Sequence, residues 1–141
     1  MSQIIIYTNT NGNVSVCVPT GELPIETVLT KDCPSGAIIV EDSTLPNADG
    51  DFFNSWELTN GAVAVNMTKA VAQQQANLNA LAKGEASHRA TNTGAGIENK
   101  MSDADWLALL ATARTAIAAA TTIQQLRDAV APVQAAVTTN A

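Results

Sequence analysis

Alanine is distributed so unevenly that it divides this chain into two parts of different structural class. Residues 1–61 contain two alanines and four prolines, whereas residues 62–141 contain twenty-three alanines and one proline. Alanine is the best helix former, while the first part is rich in β-branched residues and turn formers. The sequence therefore predicts an α+β chain, in which a small antiparallel β-rich domain precedes a long helix, a linker and a C-terminal helical hairpin.

Charge follows the same division. Residues 1–61 carry a formal charge of about −7 and residues 62–141 one of about +1, within a total of −6. An acidic chain with scattered bases is unsuited to binding nucleic acid phosphates, so no nucleic acid partner is expected. With 46% hydrophobic and 14% charged residues, the chain is also too apolar to be disordered throughout.

Neither a membrane segment nor a disulfide framework is predicted. The apolar run at residues 4–6 is too short for the core of a signal peptide, and no window approaches a membrane span. We therefore expect a chain made in the cytoplasm with no membrane partner. Cys17 and Cys33 are too few for a disulfide framework and are predicted to be buried free thiols.

Residues 1–65 are predicted to form a β-rich head domain of three to five strands. Runs at residues 3–7 and 13–18 flank an Asn-Gly pair at 11–12, which is typical of a type I′ hairpin. A second Asn-Gly pair at 60–61 indicates another hairpin. Residues 37–40 do not alternate, so they are predicted to form a strand buried on both faces.

Residues 66–84 are predicted to form an amphipathic connecting helix. One face of this helix carries a stripe of residues with the spacing of a helix that packs in a coiled-coil manner against a partner. The stripe consists of Met67, Val71, Gln74, Leu78 and Leu81. Gly84 is expected to end this helix, and residues 85–101 read as a linker, because they lack an apolar period and contain two glycines.

Residues 102–141 are predicted to form a helical hairpin. Ser102 is expected to cap the first helix, whose apolar face contains Trp106, Leu110 and Ile117. Thr122 restarts a second helix, which Pro132 kinks or ends. So small a unit gains stability by packing against a copy or a partner. We therefore predict a homo-oligomer or partner interface formed by Met67, Val71, Gln74, Leu78, Leu81, Trp106, Leu110 and Ile117.

No active site is apparent. The chain has one histidine, His88, in a polar stretch, and it has neither a serine-hydrolase elbow nor a metal-ligand spacing. The Asp49-Gly50-Asp51 turn lacks the closing glutamate of a calcium loop, since Asn60 occupies that position. The sequence therefore predicts a non-enzymatic protein without cofactor or metal, whose role is structural, in assembly or in binding.

Several segments between residues 3 and 70 occur in a distinctive order. They are Ile4-Ile5-Ile6-Tyr7 with its Asn-Gly hairpin, Val18-Pro19-Thr20-Gly21, Val28-Leu29-Thr30-Lys31-Asp32-Cys33-Pro34-Ser35-Gly36, Ile38-Ile39-Val40-Glu41-Asp42, Leu45-Pro46 and Asp51-Phe52-Phe53-Asn54-Ser55-Trp56-Glu57. This order resembles that of small tail-region or tail-fibre assembly proteins of tailed bacteriophages and prophages. Residues 85–141 are less similar to that family.

The resemblance implies a small virion component of the tail, neck, fibre-attachment or capsid-surface region, located in the particle and bound to other phage structural proteins. One alternative is an assembly chaperone that is absent from the mature virion. A second is a host- or carbohydrate-binding module, in which Trp56, Phe52 and Phe53 stack on a sugar rather than forming a core cluster. Weakly charged helix faces favour the permanent component.

Overall fold

The computed structural model describes residues 2–140. The chain divides into two compact units, an N-terminal unit (Met1–Ala70) and a C-terminal unit (Val71–Ala141). The predicted α+β class and the order of a β-rich part followed by helices are confirmed. Met1 and Ala141, the outer ends of the predicted head domain and hairpin, lie outside the described residues.

Two antiparallel sheets form the N-terminal unit. The five strands of the described chain are β1 (Gln3–Thr8), β2 (Val14–Cys17), β3 (Ile38–Glu41), β4 (Trp56–Thr59) and β5 (Ala62–Val65). The first sheet has the order β2-β1-β3, and β4 pairs with β5 in the second. Helix α1 (Ile25–Asp32) and the 3₁₀ segments Asp42–Thr44 and Asn47–Ser55 connect the strands.

The central strand β1 is buried on both faces of its sheet. Because side chains alternate along a strand, Ile4 and Ile6 point to one face and Ile5 to the other, yet all three are at most 3% exposed. Ile4 and Ile6 pack in a core cluster with Leu45 and Trp56. Helix α1 lies beside β1 and β3, although none of its own residues is fully buried.

The prediction that residues 37–40 are buried on both faces is wrong. All four residues of β3 are only half-buried, because β3 is an edge strand paired on one side with β1. The non-alternating run that is buried on both faces is instead Ile4–Ile6, in the middle of the same sheet.

Both predicted hairpins form, but their turns differ. Asn60 and Gly61 have φ angles of 53° and 79° and join the facing residues Thr59 and Ala62, as a type I′ turn requires. The first hairpin has a five-residue loop between Thr8 and Val14. There the Asn9 side chain accepts the backbone N–H groups of residues 11 and 13, and Gly12 is the residue with positive φ. This loop is not a type I′ turn.

Three helices contribute to the C-terminal unit. They are α2 (Met67–Gly94), which begins in the N-terminal unit, α3 (Asp103–Ala119) and α4 (Ile123–Asn140). Their fully buried apolar residues recur at helical spacing and are Leu78, Trp106, Leu110, Ala113, Ile117, Leu126, Val130 and Val133. Ser102 caps α3 as predicted, since its Oγ accepts the backbone N–H of Asp105 at 3.2 Å.

One predicted helix end is wrong. Helix α2 continues through Gly84 to Gly94, so ten of the residues assigned to the linker at 85–101 are helical. Gly84 has no positive φ, and an interior glycine costs a helix only about 1 kcal/mol. Helix α4 contains Pro132 in its interior and runs to Asn140, so the proline does not end this helix. Among residues 2–140, no helix is both long and apolar enough to cross a membrane.

Candidate functional site

Helix α3 has an outward surface almost without charge. We define the outer face of α3 by six exposed residues at helical spacing: Ala104, Leu107, Ala108, Ala111, Thr115 and Ala118. Opposite to it lies the buried stripe that begins at Trp106. Leu107 is 63% exposed, and Arg114 is the one charged residue between Trp106 and Ala119. This face therefore offers another molecule a surface without a charged residue.

An open groove adjoins the outer face of α3. It has a volume of about 650 Å³ and is lined mainly by small residues of α2 together with Leu107. Its polar edge is the ion pair between Arg89 Nη1 and Asp103 Oδ1, 2.9 Å apart. The groove extends the apolar surface around Leu107 towards the C-terminal end of α2.

The residues predicted to contact a partner fall into two groups. Five of them lie in the interior of their own chain, at most 6% exposed: Gln74, Leu78, Trp106, Leu110 and Ile117. These residues pack within the C-terminal unit itself, so little of each side chain is exposed to another molecule, and their contact with a partner stays a prediction. Met67, Val71 and Leu81 are half-buried, and their contact with a partner stays a prediction. Leu107, one position after Trp106, falls outside the predicted apolar stripe and is exposed.

The buried side chain of Gln74 forms its hydrogen bonds within the C-terminal unit. Its side-chain amide donates from Nε2 to the backbone oxygen of Leu126 at 2.8 Å, and its Oε1 accepts from Asn77 Nδ2 at 3.0 Å. A buried amide needs such partners, because an unsatisfied polar group costs about 1–3 kcal/mol. The polar residue in the predicted coiled-coil stripe therefore joins α2 to α4 of the same chain.

A buried polar cluster lies at the end of α2. Glu85, Arg89, Asn92 and Asn140 are each less than 10% exposed. Glu85 Oε2 accepts from Arg89 Nε at 3.1 Å and from Asn140 Nδ2 at 2.9 Å, and Arg89 Nη1 donates to the backbone oxygen of Met101 at 2.7 Å. The cluster therefore holds the connection between α2 and α3 against the end of α4.

One atom of this cluster is unpaired. Glu85 Oε1 is buried and has no hydrogen-bond partner among the described residues. The Arg89 guanidinium, which neutralises the carboxylate, also lies 5.4 Å from the centre of the Trp106 ring, within the range of a cation–π interaction. His88 Nε2 lies 2.7 Å from the backbone oxygen of Asn140, at which distance a protonated Nε2 donates to it. These contacts are structural, and we call the four residues Glu85, Arg89, Asn92 and Asn140 the latch.

The aromatic residues of the N-terminal unit belong to its interior. Phe52 and Trp56 are 2% and 3% exposed, and Trp56 Nε1 donates to the backbone oxygen of Asp49 at 3.3 Å. Phe53, which is 38% exposed, packs on Trp56 with ring centres 4.9 Å apart. The core reading of Phe52 and Trp56 is confirmed, and these two rings are not available to stack on a sugar.

The two cysteines are half-buried rather than buried, and Cys17 lines one groove with Asp32, the neighbour of Cys33. Burial raises the pKa of the Cys33 thiol, and a hydrogen bond with Cys17 and the charges of Cys17 and Asp32 act in the same direction. Their positions in sequence gave no signal of this proximity, because the contact depends on how α1 lies beside the sheet.

The part of the chain that the structure describes contains no group of three or more histidine, cysteine, aspartate or glutamate residues arranged to hold a metal ion. Comparisons of this chain with protein-family models, with characterised proteins and with solved structures gave no match.

Proposed function

We propose that this chain is a non-enzymatic structural protein of a tailed bacteriophage, a small permanent component of the particle. It acts through protein–protein contacts in the tail, neck, fibre-attachment or capsid-surface region. The resemblance of residues 3–70 to small tail-region proteins supports the class of protein. The outer face of α3 supports the mode of action.

The observation that carries the proposal is the exposure of Leu107 in an uncharged surface. Leu107 is 63% exposed, and its neighbours on the outer face of α3 are alanines and one threonine. Small side chains let another helix approach closely, and full burial of a leucine contributes about 1.5–3 kcal/mol. A surface of this kind is stabilised by a lasting contact with another protein, whether a second copy or a different particle component.

The proposal assigns the two units different roles. The C-terminal unit supplies the contact surface, because its helices expose the uncharged face. The N-terminal unit carries eight acids and two bases, if residues 1–70 are counted, and it forms the charged head that stays in solvent or meets a basic partner.

Mass spectrometry of purified particles tests this role. The gene would be deleted from a lysogen, restored in trans, and the particles purified on a density gradient before quantification against the major tail protein. We expect the chain at a fixed ratio to that protein in every gradient fraction that contains particles. Presence in the lysate together with absence from particles would contradict a structural role and favour the assembly chaperone.

Two matched variants test the surface. Leu107→Lys places a charge on the outer face of α3, whereas Thr112→Lys adds the same charge to an exposed position of the same helix outside that face. We expect Leu107→Lys to lower incorporation into particles about tenfold and Thr112→Lys to leave it unchanged. Equal incorporation of both variants, with wild-type circular dichroism, would rule out this face as the contact surface.

A further inference from the structure

The strand register places Cys17 on the same face of the sheet as Ile5. Cys17 is the last residue of β2 and faces Ile5 of β1. Facing residues of an antiparallel pair point to the same side of a sheet, so Cys17 shares the side of Ile5, opposite to the Ile4 and Ile6 side. Helix α1 lies beside β1 and β3, and Cys33 is the residue that ends α1.

The two thiols meet at this point. Cys17 and Asp32, the residue before Cys33, line one groove of about 270 Å³. Cys33 directly follows Asp32, so the two cysteines flank the same groove, and both thiols are free. Cys33 has extended backbone angles, with φ −113° and ψ 150°, so it is not locked inside the helix. Both thiols are half-buried, which leaves them within reach of a small reagent.

We propose that Cys17 and Cys33 form a reversible intramolecular disulfide, which makes the end of α1 a redox-sensitive modification site. The oxidant is a small-molecule disulfide such as oxidised glutathione. The thiolate of one cysteine attacks a sulfur of the oxidant, forms a mixed disulfide and releases one glutathione thiolate.

The thiolate of the second cysteine then attacks the protein sulfur of the mixed disulfide. This step forms the Cys17–Cys33 bond and expels the second glutathione. The protein loses two electrons and the two thiol protons, while the oxidant is reduced to two thiols. Reduced glutathione in excess reverses both steps, so the ratio of the two forms reports the redox state of the surroundings.

The bond changes the segment between β2 and α1. It closes the loop that contains Val18 and Leu23, which are 71% and 45% exposed. Closure of a loop of this length removes conformational freedom from the unfolded chain. The oxidised form is therefore more stable against unfolding than the dithiol form.

Oxidation of the full-length protein in glutathione buffers tests the site. After equilibration, free thiols are blocked with N-ethylmaleimide and the protein is analysed by intact mass and peptide mapping. We expect an oxidised monomer that takes up no N-ethylmaleimide, a peptide pair that joins Cys17 to Cys33, and a melting temperature raised by roughly 10 °C.

The single variants Cys17→Ser and Cys33→Ser provide the control. Each should stop at the mixed disulfide and retain one glutathione, since the second thiol is missing. The wild-type result decides the proposal even where a variant does not fold. Two glutathione adducts, two N-ethylmaleimide adducts or a covalent dimer as the main wild-type product would overturn it.

Discussion

The side-chain amide of Asn140 donates to Glu85 Oε2 at 2.9 Å, although 55 positions separate the two residues. The Asn140 Oδ1 accepts the backbone N–H of Lys100 at 2.9 Å, so the same side chain also holds the connection between α2 and α3. Because Glu85 pairs with Arg89 as well, one buried carboxylate ties together three segments of the C-terminal unit. The stability of this unit should depend on Glu85 more than on any exposed charge.

Glu85→Ala should lower the free energy of unfolding by about 3 kcal/mol, because it leaves the buried Arg89 without its main partner. Asp103→Asn removes the other ion pair of Arg89, but Asp103 is 81% exposed, so the loss should stay below about 1 kcal/mol. Urea unfolding followed by circular dichroism measures both. The exposed Lys83→Ala on the same helix is the control. Equal losses for Glu85→Ala and Asp103→Asn would contradict the claim that the buried Glu85 stabilises this unit more than an exposed charge does.

This latch explains why residues 85–94 are helical without an apolar period. Apolar residues at helical spacing are the sequence signal of an amphipathic helix, whereas α2 buries Glu85, Arg89 and Asn92 over its last three turns. These residues have the spacing of a helix face, but their polarity hides it. Their partners, Met101 and Asn140, come from distant positions and cannot be inferred from local pattern.

Gln74→Leu should destabilise the C-terminal unit by about 1 kcal/mol. A leucine at this position would tighten an oligomer if it lay in a seam between two chains, as the sequence indicates. In the structure Gln74 is 6% exposed and donates to the backbone oxygen of Leu126, so the substitution removes an internal hydrogen bond. Urea unfolding gives the loss, and Ala76→Leu at an exposed position is the control. A higher sedimentation mass for Gln74→Leu would instead show that position 74 lies in an interface between two chains.

Elements with a strong local signal were predictable. The 4-3-4 spacing of Trp106, Leu110, Ala113 and Ile117 identifies the buried face of α3, and the structure confirms it. What the spacing cannot state is whether the partner of that face belongs to the same chain. The outer face of α3 escaped prediction for a related reason, since alanine suits buried and exposed positions alike.

Asn60→Ala should lower the free energy of unfolding of the N-terminal unit by about 1 kcal/mol, because Asn60 has a φ of 53°, which costs a residue with an ordinary side chain about this much. Asn11→Ala in the other Asn-Gly pair is the matched control and should be nearly neutral, since Asn11 is exposed and has no positive φ. Thermal unfolding monitored by tryptophan fluorescence measures both in a Trp106→Phe background, in which Trp56 is the remaining tryptophan. Equal losses would mean that backbone strain is not the cause.

Alkylation of Cys33 should follow a pH profile shifted to higher pH than that of an ordinary cysteine. Burial raises the pKa of its thiol, and the hydrogen bond with Cys17 and the charges of Cys17 and Asp32 add to the effect. Iodoacetamide labelling, quantified at Cys33 by peptide mapping, should therefore have its midpoint above that of the same protein unfolded in urea. In Cys17→Ala the midpoint should fall, because the hydrogen bond and the neighbouring charge are removed.

The same shift links pH to stability. A group whose pKa is higher in the folded state contributes stability that is fully present below its unfolded pKa, about 8.5 for cysteine, and that is lost as pH rises through the folded value. The reduced protein should thus lose free energy of unfolding above about pH 8.5, and Cys33→Ala should lose less over the same interval. Parallel pH profiles for the wild type and Cys33→Ala would show that this thiol does not titrate differently on folding.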